Sequence, residues 1–496
     1  MSKINKAACI GGGVIGGGWI ARFLLSGIDV KVFDPHPQSQ RIVGEVIANA
    51  DRAYGMLTGA PLPPRGKLAF TNSIEEAVAD ADWIQESVPE RLDLKRGVLN
   101  QIDAAAKPDA LIGSSTSGLL PTELQRDMRH PERLFVAHPY NPVYLLPLVE
   151  IVGGNKTSGA TIQAAMEKLA PIGMKGLHIA KEIEAFVGDR LLEALWREAL
   201  WLIHDDICTV ETLDDVIRYS FGLRWAQMGL FQTYRIAGGE AGMRHFLAQF
   251  GPCLAWPWTK LTDVVELDDG LIEKIGQQSD DQAHGLSIRE LERIRDENLV
   301  GILQTLKGAD GGKGWGAGKL LKDFETRLWV DGGDRKALHD TARPLRLIET
   351  KVSAAWVDYN GHMTEHRYLQ VFGDTTDALL RLIGVDLAYI KGGHSYYTVE
   401  THLRHLGEAK LGDAIHSTCQ VLSADEKRLQ LFHTIYNTET GDKIATAEQM
   451  LLHVDSKAGK AIVAPVDILA RVNAIAGAHA KLAVPEGTGR QVGQTK

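Results

Sequence analysis

A histidine and a glutamate in the N-terminal third of the chain could together carry out acid–base chemistry. His138 begins the segment His-Pro-Tyr-Asn-Pro, and Glu150 follows in the apolar segment Pro-Leu-Val-Glu. An imidazole that is oriented by a carboxylate can take a proton from an alcohol, so the pair could serve as a general base and its partner. Most ion pairs in proteins are structural, and the two residues alone leave that interpretation open.

A glycine-rich turn near the start of the chain could hold an anionic ligand. Gly11, Gly13 and Gly16 follow an apolar run in the order G-x-G-x-x-G and precede a periodic apolar segment. A strand, tight turn and helix of this kind predict a dinucleotide site. Asp34 ends the next predicted strand, where a carboxylate accepts ribose hydroxyls and repels a 2′-phosphate, so NAD is favoured over NADP. The predicted cofactor contacts here are Gly11, Gly12, Gly13, Val14, Ile15, Gly16 and Asp34.

Short apolar strands alternate with helical segments over residues 1–181. This alternation predicts an α/β domain, a Rossmann-type doubly wound parallel sheet with helices on both faces. Ligands of such sheets bind beyond the carboxyl ends of the strands, which is where the glycine turn and His138 are expected. The predicted strands are 7–10, 29–33, 83–86, 110–114 and 134–137.

The composition is that of an ordinary globular protein. Its 496 residues suggest about two to four domains. A net charge of −9 without a long basic run argues against nucleic-acid and anionic-membrane partners. The cysteines show no metal-binding spacing, and no apolar run approaches the ~18 residues of a membrane helix, so we expect a cytoplasmic protein without a metal.

Further motifs accompany the glycine turn. They are Glu90 with Lys95, the Ser-Thr-Ser segment that ends at Ser117, and the segments of His138 and Glu150. All of them follow the glycine turn in register with one another. Together they make residues 1–320 resemble the 3-hydroxyacyl-CoA dehydrogenase family. The resemblance implies that His138 takes the proton of a substrate 3-hydroxyl while hydride passes to the nicotinamide, and that Glu150 holds the imidazole. It also implies that Ser117 hydrogen-bonds the substrate oxygen, with Glu90 and Lys95 on the nicotinamide side of the cofactor.

Two positions depart from the usual pattern of that family. Pro139-Tyr140 replaces a pair of aromatic residues, and Asp189 replaces the asparagine that usually precedes Arg190. An ionised carboxylate only accepts hydrogen bonds, so it would not help a thioester carbonyl but would attract a cation. The chain thus resembles the L-carnitine dehydrogenase subfamily, which implies oxidation of L-carnitine to 3-dehydrocarnitine, with Asp189, Tyr140 and Asn141 at the substrate. Pairing of Asp189 with Arg190 or another base is the alternative.

Residues 182–320 are predicted to form an all-α domain for substrate binding and dimerisation. Its longest periodic helix contains Trp196 and Trp201, which we expect in the core. Aromatic rings elsewhere in the segment could bind a trimethylammonium through cation–π contacts. The candidate rings are Trp225, Phe231, Tyr234, Trp256 and Trp258.

The composition changes beyond this helical segment. Residues 321–342 are predicted to be a linker, after which the chain becomes rich in Thr, Tyr, Val and His. One helical segment at 364–383 and alternating strands at 397–403, 414–422, 428–436 and 444–454 predict an α+β hotdog domain over 343–465. Residues 466–496 are expected to form a tail.

An Asp-x-x-Gly-His block precedes the helix of this last domain. Asp358, Gly361 and His362 form the block, and with Tyr368 and the later segment 407–413 it resembles the 4-hydroxybenzoyl-CoA thioesterase-like family. The resemblance implies thioester hydrolysis, with Asp358 as nucleophile or base and N–H groups around Gly361 and His362 polarising the carbonyl. The alternative is that Asp358 only caps the helix, since aspartate is a favoured cap.

The two resemblances together imply a bifunctional enzyme. It would oxidise L-carnitine with NAD and hydrolyse betainyl-CoA to glycine betaine and CoA. Both families usually self-associate, so a homodimer is expected. The alternative is a 3-hydroxyacyl-CoA dehydrogenase whose hotdog domain binds acyl-CoA or serves assembly without hydrolysis.

Overall fold

The computed structural model describes residues 3–491 except 59, 61, 238–239, 241, 251–258, 261–265, 267, 333–339 and 354–355. Trp256 and Trp258 lie outside the described residues. Two compact units divide the chain, namely residues 1–57 with 62–325 and residues 326–496 with 58–61. The helices formed by the described residues include none with the length and apolar character that a membrane crossing requires.

The first unit is built on one sheet. Its strands are β1 (Lys6–Ile10), β2 (Asp29–Phe33), β3 (Leu68–Phe70), β4 (Trp83–Glu86), β5 (Leu111–Ser114), β6 (Leu134–Pro139), β7 (Leu148–Gly153) and β8 (Lys175–Ile179). The strand order is β3-β2-β1-β4-β5-β6-β7-β8, and every pair from β3 to β6 is parallel, which confirms the Rossmann-type fold. β7 runs antiparallel to β6, so the sheet is mixed at that end.

Helices cover both faces of this sheet. They are α1 (Val14–Leu25), α2 (Ser39–Leu57), α3 (Ile74–Val78), α4 (Leu92–Ala105), α5 (Pro121–Leu124) and α6 (Gly159–Leu169). α1 and α6 contribute Trp19 and Ile162 to the core on one face, and α4 contributes Leu99 to the core on the other. Because the central strands are buried on both faces, β4, β5 and β6 are buried along their whole length and begin with apolar runs instead of alternating; their polar residues lie toward the carboxyl ends.

The helical part of the first unit follows β8. Its helices are α7 (Gly188–His204), α8 (Val210–Val216), α9 (Gly222–Trp225), α10 (Leu230–Ala237), α11 (Gly242–Phe250), α12 (Asp269–Gln282), α13 (Ile288–Gly308) and the first part of α14 (Ala317–Gly332), which continues past residue 325. Trp201 packs against a small core around Leu200 and Ile203, as expected. The expected burial of Trp196 is wrong, since that side chain is 54% exposed. α14 also extends through the first part of the predicted linker.

The second unit wraps an antiparallel sheet around one long helix. Its elements are β9 (Leu345–Lys351), α15 (Glu365–Leu382), α16 (Leu387–Lys391), β10 (His394–His405), β11 (Ala414–Ala424), β12 (Arg428–Asn437), β13 (Lys443–Asp455), β14 (Lys460–Ala461) and α17 (Val466–His479). The strand order β10-β13-β12-β11-β9 and the packing of α15 agree with the predicted hotdog domain. The expectation of a tail from residue 466 is wrong, because α17 buries Ile468, Val472 and Ile475 in the core.

Candidate active sites

The glycine turn joins β1 to α1 without obstructing the start of the helix. Gly11 has a φ of +98°, and a methyl group there would lie 2.7 Å from the Ser87 carbonyl oxygen. A methyl group on Gly16 would lie 1.9 Å from the carbonyl oxygen of Gly11, whereas one on Gly13 would have nothing within 4 Å. The three glycines therefore supply a tight turn, close packing and an open approach to the backbone.

The first turn of α1 can receive an anion. Gly13 is the N-cap and provides no side chain to bind the helix N–H groups, and Val14 beside it is 57% exposed. Ile15 is half-buried. Asp34 follows β2, and its Oδ2 accepts the N–H of Gly12 at 2.6 Å, which fixes the carboxylate beside the turn. These residues fit a dinucleotide whose pyrophosphate meets α1 and whose ribose meets Asp34.

His138 and Glu150 lie opposite each other on β6 and β7, where the register pairs them directly. His138 Nδ1 is 3.0 Å from Glu150 Oε2, and both side chains are buried. Donation from Nδ1 to the carboxylate leaves Nε2 free to accept a proton. Tyr140 and Asn141 follow at the end of β6. Asn141 is exposed and stays a predicted substrate contact.

Glu150 is the centre of a hydrogen-bond network. Its Oε2 also accepts the Tyr140 hydroxyl at 2.9 Å, and its Oε1 accepts the N–H groups of Val187 at 3.1 Å and Gly188 at 3.0 Å. Burial would raise the pKa of Glu150, but the hydrogen bonds from His138, Tyr140 and Gly188 outweigh burial and lower it. The carboxylate therefore stays ionised and can stabilise an imidazolium.

The segment before α7 positions those two backbone donors. Ala185 and Phe186 have φ values of +59° and +47°, a left-handed conformation that is costly for residues with a Cβ. Gly188 approaches Tyr140 so closely that a methyl group would lie 1.6 Å from the tyrosine oxygen. The buried Phe186 ring lies 5.6 Å from the His138 ring. Sequence analysis missed Phe186 and Gly188, since nothing local signals a contact with residues so distant in the chain.

Asp189 faces the proton-accepting side of the imidazole. It lies in the first turn of α7, with Oδ2 3.5 Å from His138 Nε2. Arg190 instead points a guanidinium N–H at the Glu184 carbonyl oxygen, 3.4 Å away. Burial raises the pKa of Asp189. The charge of His138 lowers that pKa and the negative charge of Glu150 raises it, and the net pKa lies above the usual value for aspartate. A bound cation would relieve that repulsion between carboxylates.

Glu90 organises the loop that carries Ser117. Its Oε1 accepts the N–H groups of Ser117 and Gly118, both at 3.1 Å, as well as the Thr116 hydroxyl. Burial would raise the pKa of Glu90, but the Thr116 hydroxyl and the Lys95 ammonium outweigh burial and lower it. The Ser117 side chain is exposed at the carboxyl end of β5, next to the end of β6. Thr116 lies inside the Ser-Thr-Ser segment, but sequence analysis assigned it no role.

Lys95 is buried and does not reach an open surface. Its Nζ lies 2.8 Å from Glu86 Oε1, 3.0 Å from the Val88 carbonyl oxygen and 3.4 Å from Glu90 Oε2. Three oxygens occupy its three N–H donors, so the direct cofactor contact implied by the resemblance is replaced by a supporting role beneath Glu90. The buried Glu86, which sequence analysis did not single out, compensates the buried ammonium.

Asp358 lies in a tight loop before α15. Its Oδ1 accepts the N–H groups of Asn360 at 2.9 Å and His362 at 3.2 Å, and its carbonyl oxygen accepts that of Gly361 at 3.0 Å. The helix N-cap is Thr364, so the interpretation of Asp358 as a helix cap is wrong. The expectation that Gly361 and His362 offer free N–H groups at the helix start is wrong too, because both donate to Asp358.

The Asp358 carboxylate is exposed and ionised. The N–H of His362 holds its pKa below the usual range for aspartate. The His362 side chain turns to Glu408, with Nε2 3.4 Å from Oε2. The loop thus presents a carboxylate that can act as a nucleophile or a base, and His362 supports the loop through its backbone.

Three family models match the chain. The NAD binding domain of 3-hydroxyacyl-CoA dehydrogenase matches residues 6–183, the C-terminal domain of the same enzymes matches 186–269, and the thioesterase-like superfamily matches 352–472. A protein of Rhizobium meliloti (strain 1021) named L-carnitine dehydrogenase/betainyl-CoA thioesterase is 74% identical over 496 residues, 100% of both chains. The chain belongs to this bifunctional family.

Relatives of the family's dehydrogenase part match only part of the chain. A Mesorhizobium japonicum protein named L-carnitine dehydrogenase is 67% identical over 329 residues, which are 66% of this chain and 90% of the relative. The solved structure of 5-formyl-3-hydroxy-2-methylpyridine 4-carboxylic acid 5-dehydrogenase, an NAD⁺-dependent dismutase, is 27% identical with a TM-score of 0.53 and covers 62% of this chain and 99% of its own. The full-length match therefore carries the assignment to the bifunctional family.

Proposed function

We propose that the first unit oxidises the 3-hydroxyl of L-carnitine to 3-dehydrocarnitine with NAD, and that the second unit hydrolyses betainyl-CoA to glycine betaine and CoA. One observation carries the dehydrogenase proposal, the 3.5 Å between His138 Nε2 and Asp189 Oδ2. In L-carnitine a single methylene separates the hydroxyl-bearing carbon from the trimethylammonium, so the base and the counter-ion must be neighbours. His138 and Asp189 meet that requirement.

Each polar residue near the imidazole has one task in this proposal. His138 Nε2 takes the hydroxyl proton, and Glu150 stabilises the imidazolium that results. Asp189 holds the trimethylammonium, and Ser117 hydrogen-bonds the oxygen on C3. Bound NAD supplies the hydride acceptor, for which the glycine turn, Asp34 and the Glu90 loop provide the binding surface. Burial and the hydrogen bond to Glu150 raise the pKa of Tyr140, which keeps that hydroxyl a donor.

Asp189→Asn should raise the KM for L-carnitine by about 10-fold to 100-fold and change kcat far less. A carboxylate near a cation at the rim of a site contributes roughly 1.4 to 2.8 kcal/mol to the binding free energy, and asparagine keeps the shape of the side chain but not its charge.

The raised pKa of Asp189 predicts a pH dependence of KM in the unmodified chain. As pH falls, this carboxyl becomes neutral earlier than an ordinary aspartate, so KM should rise on the acid side. That rise should be absent in Asp189→Asn.

The comparison substrate is 3-hydroxybutyryl-CoA, which has no cation for Asp189 to bind. In the unmodified chain the initial rate of NADH formation should be higher with L-carnitine than with 3-hydroxybutyryl-CoA. In Asp189→Asn the difference between these two rates should be smaller. A preference of the unmodified chain for the thioester would contradict the proposed substrate. Equal KM values for L-carnitine in both chains would contradict the role of Asp189 alone.

The thioesterase proposal assigns the water-activating or nucleophilic role to Asp358. Its Oδ1 is held by two backbone N–H groups, which leaves the carboxylate charge available at an exposed loop. Because Gly361 and His362 already donate to Asp358, we assign polarisation of the thioester carbonyl to the N–H groups of Glu365 and His366, the first residues of α15.

We further propose that the chain forms a homodimer in the cytoplasm. α7 exposes Leu191, Leu192 and Trp196 by 59%, 54% and 54%, and an apolar surface of this kind usually marks a protein interface. Cys9 and Cys419 are buried free thiols, as is usual in a reducing compartment. Analytical ultracentrifugation should give the mass of two chains, and Trp196→Glu should give that of one. A single-chain mass for the unmodified protein would contradict the dimer.

A further inference from the structure

A partly open cavity of about 350 Å³ lies against the sheet of the second unit. Thr376 of α15 contacts His433 and Gln449, whereas the cavity is lined by Phe432 and Thr434, among other residues. Successive residues of a strand point to opposite faces, so the cavity lies on the face away from α15. The Asp358 loop does not line it.

The chain beyond α17 forms the roof of this cavity. Gln420 Nε2 donates to the Ala483 carbonyl oxygen at 3.2 Å, and the Gly489 N–H donates to Glu448 Oε2 at 2.6 Å. These bonds fasten the segment to the sheet at two points. Gly487 between them has a φ of +94°, where glycine is favoured. The roof is therefore a built part of the unit.

The floor is a row of side chains that the strand register places next to one another. Arg404 pairs with Thr446, Thr446 with Thr434, and Thr434 with Thr418, across β10, β13, β12 and β11. Thr434 and Thr446 are only 5–7% exposed. Within the described ranges, the three threonine hydroxyls have no hydrogen-bond partner. None of the three belongs to the buried, unpartnered polar atoms of the described residues, so these hydroxyls open into the cavity and offer its occupant donors and acceptors.

Two cations line the same cavity as the row. Arg404 lies under the roof, where a methyl group on Gly487 would be 2.3 Å from its Nη1. Lys443 is on the same strand as Thr446 and pairs in register with Tyr436. Neither Arg404 nor Lys443 forms an ion pair with any residue that the structure describes. Unpaired cations beside unpaired hydroxyls are the chemistry that binds a carboxylate carrying further polar groups.

We propose that this cavity is a binding site for a small polar carboxylate, separate from both active sites. Arg404 and Lys443 hold the carboxylate, and the threonine row receives the other polar groups. The volume is near the lower end of the roughly 300–1,000 Å³ of ligand pockets, which suits a metabolite of a few carbons and not a CoA thioester. Quaternary-ammonium carboxylates are one source of this chemistry, for which Glu486 of the roof, a lining residue, would supply the negative charge. Hydroxy dicarboxylates are the other.

The test is isothermal titration of the full chain with glycine betaine in one arm and malate in the other. One of the two probes should bind saturably, and the probe that binds identifies the source. Arg404→Gln and Lys443→Gln should each weaken that binding by about tenfold or more, while Arg404→Lys should retain part of it. Lys460→Gln is the matched control, because Lys460 is an exposed lysine of the same sheet outside the cavity.

The rates of L-carnitine oxidation and betainyl-CoA hydrolysis should be unchanged in the cavity variants. A failure of the binding-site proposal is therefore distinguishable from a failure of the proposed reactions. Absence of binding for both probes would overturn the proposal. Binding that is equal in the unmodified chain and in all the cavity variants would overturn it too.

Discussion

Replacing His138 with asparagine is expected to lower kcat for L-carnitine oxidation by about 10²-fold to 10⁴-fold, the usual contribution of a general base. The asparagine amide can still donate to Glu150 from near the position of Nδ1. Nothing then stands at the position of Nε2 to take the hydroxyl proton. Tyr140 and the backbone of Gly188 continue to hold Glu150, so the site should keep its shape. Steady-state NADH formation at saturating NAD measures the effect.

Two properties of the same variant serve as controls. In the proposed mechanism NAD affinity depends on the glycine turn and Asp34, and hydrolysis of betainyl-CoA depends on Asp358, so both should match the unmodified chain. A loss of kcat smaller than about tenfold would remove His138 from the role of general base.

Replacing Asp358 with asparagine is expected to lower betainyl-CoA hydrolysis by about 10²-fold or more. The asparagine Oδ1 can accept the same N–H groups of Asn360 and His362, so the loop should persist. The variant lacks the negative charge to which we assign attack on the thioester or activation of water. Release of thiol from betainyl-CoA by the full chain, followed with a thiol reagent, measures the loss.

Asp455→Asn is the matched control for this prediction. Asp455 also accepts two backbone N–H groups with its Oδ1, those of Lys457 and Ala458, both at 2.9 Å, in an exposed turn of the same unit. That variant should hydrolyse the thioester at the rate of the unmodified chain. Equal thiol release by Asp358→Asn and Asp455→Asn would exclude Asp358 from the mechanism and favour a binding or assembly role for the hotdog domain.

The dehydrogenase fold could be predicted because its signals are local. The glycine order and the apolar runs appear within a few residues, and the predicted strands 29–33 and 83–86 coincide with β2 and β4. β3 has three residues, too few for a periodic signal, and was missed. Sequence analysis also missed β7, because it considered that segment as the source of Glu150 and did not use its apolar residues as a strand signal. An antiparallel β7 is nevertheless what brings Glu150 opposite His138.

The predictions that are wrong concern local structure that depends on contacts with distant parts of the chain. The composition of residues 466–496 suggested a tail, but α17 finds a partner in the sheet and the segment after it covers the cavity. The Asp-x-x-Gly-His block suggested a helix start, but its N–H groups turn inward to Asp358 before the helix begins. Lys95 belongs to a motif that suggested a cofactor contact, yet its side chain is buried in an ion pair with Glu86.

The sequence by itself was enough to predict which residues carry the chemistry, because residue type and turn geometry are properties of short segments. It predicted the dinucleotide turn, the histidine with its glutamate, and Asp189 as the residue that meets a cationic substrate. Only the tertiary structure decided that Asp189 stands 3.5 Å from His138 Nε2 and that an arginine and three threonines share one row. Such distances depend on how separate helices and strands pack, and packing is a property of the whole chain.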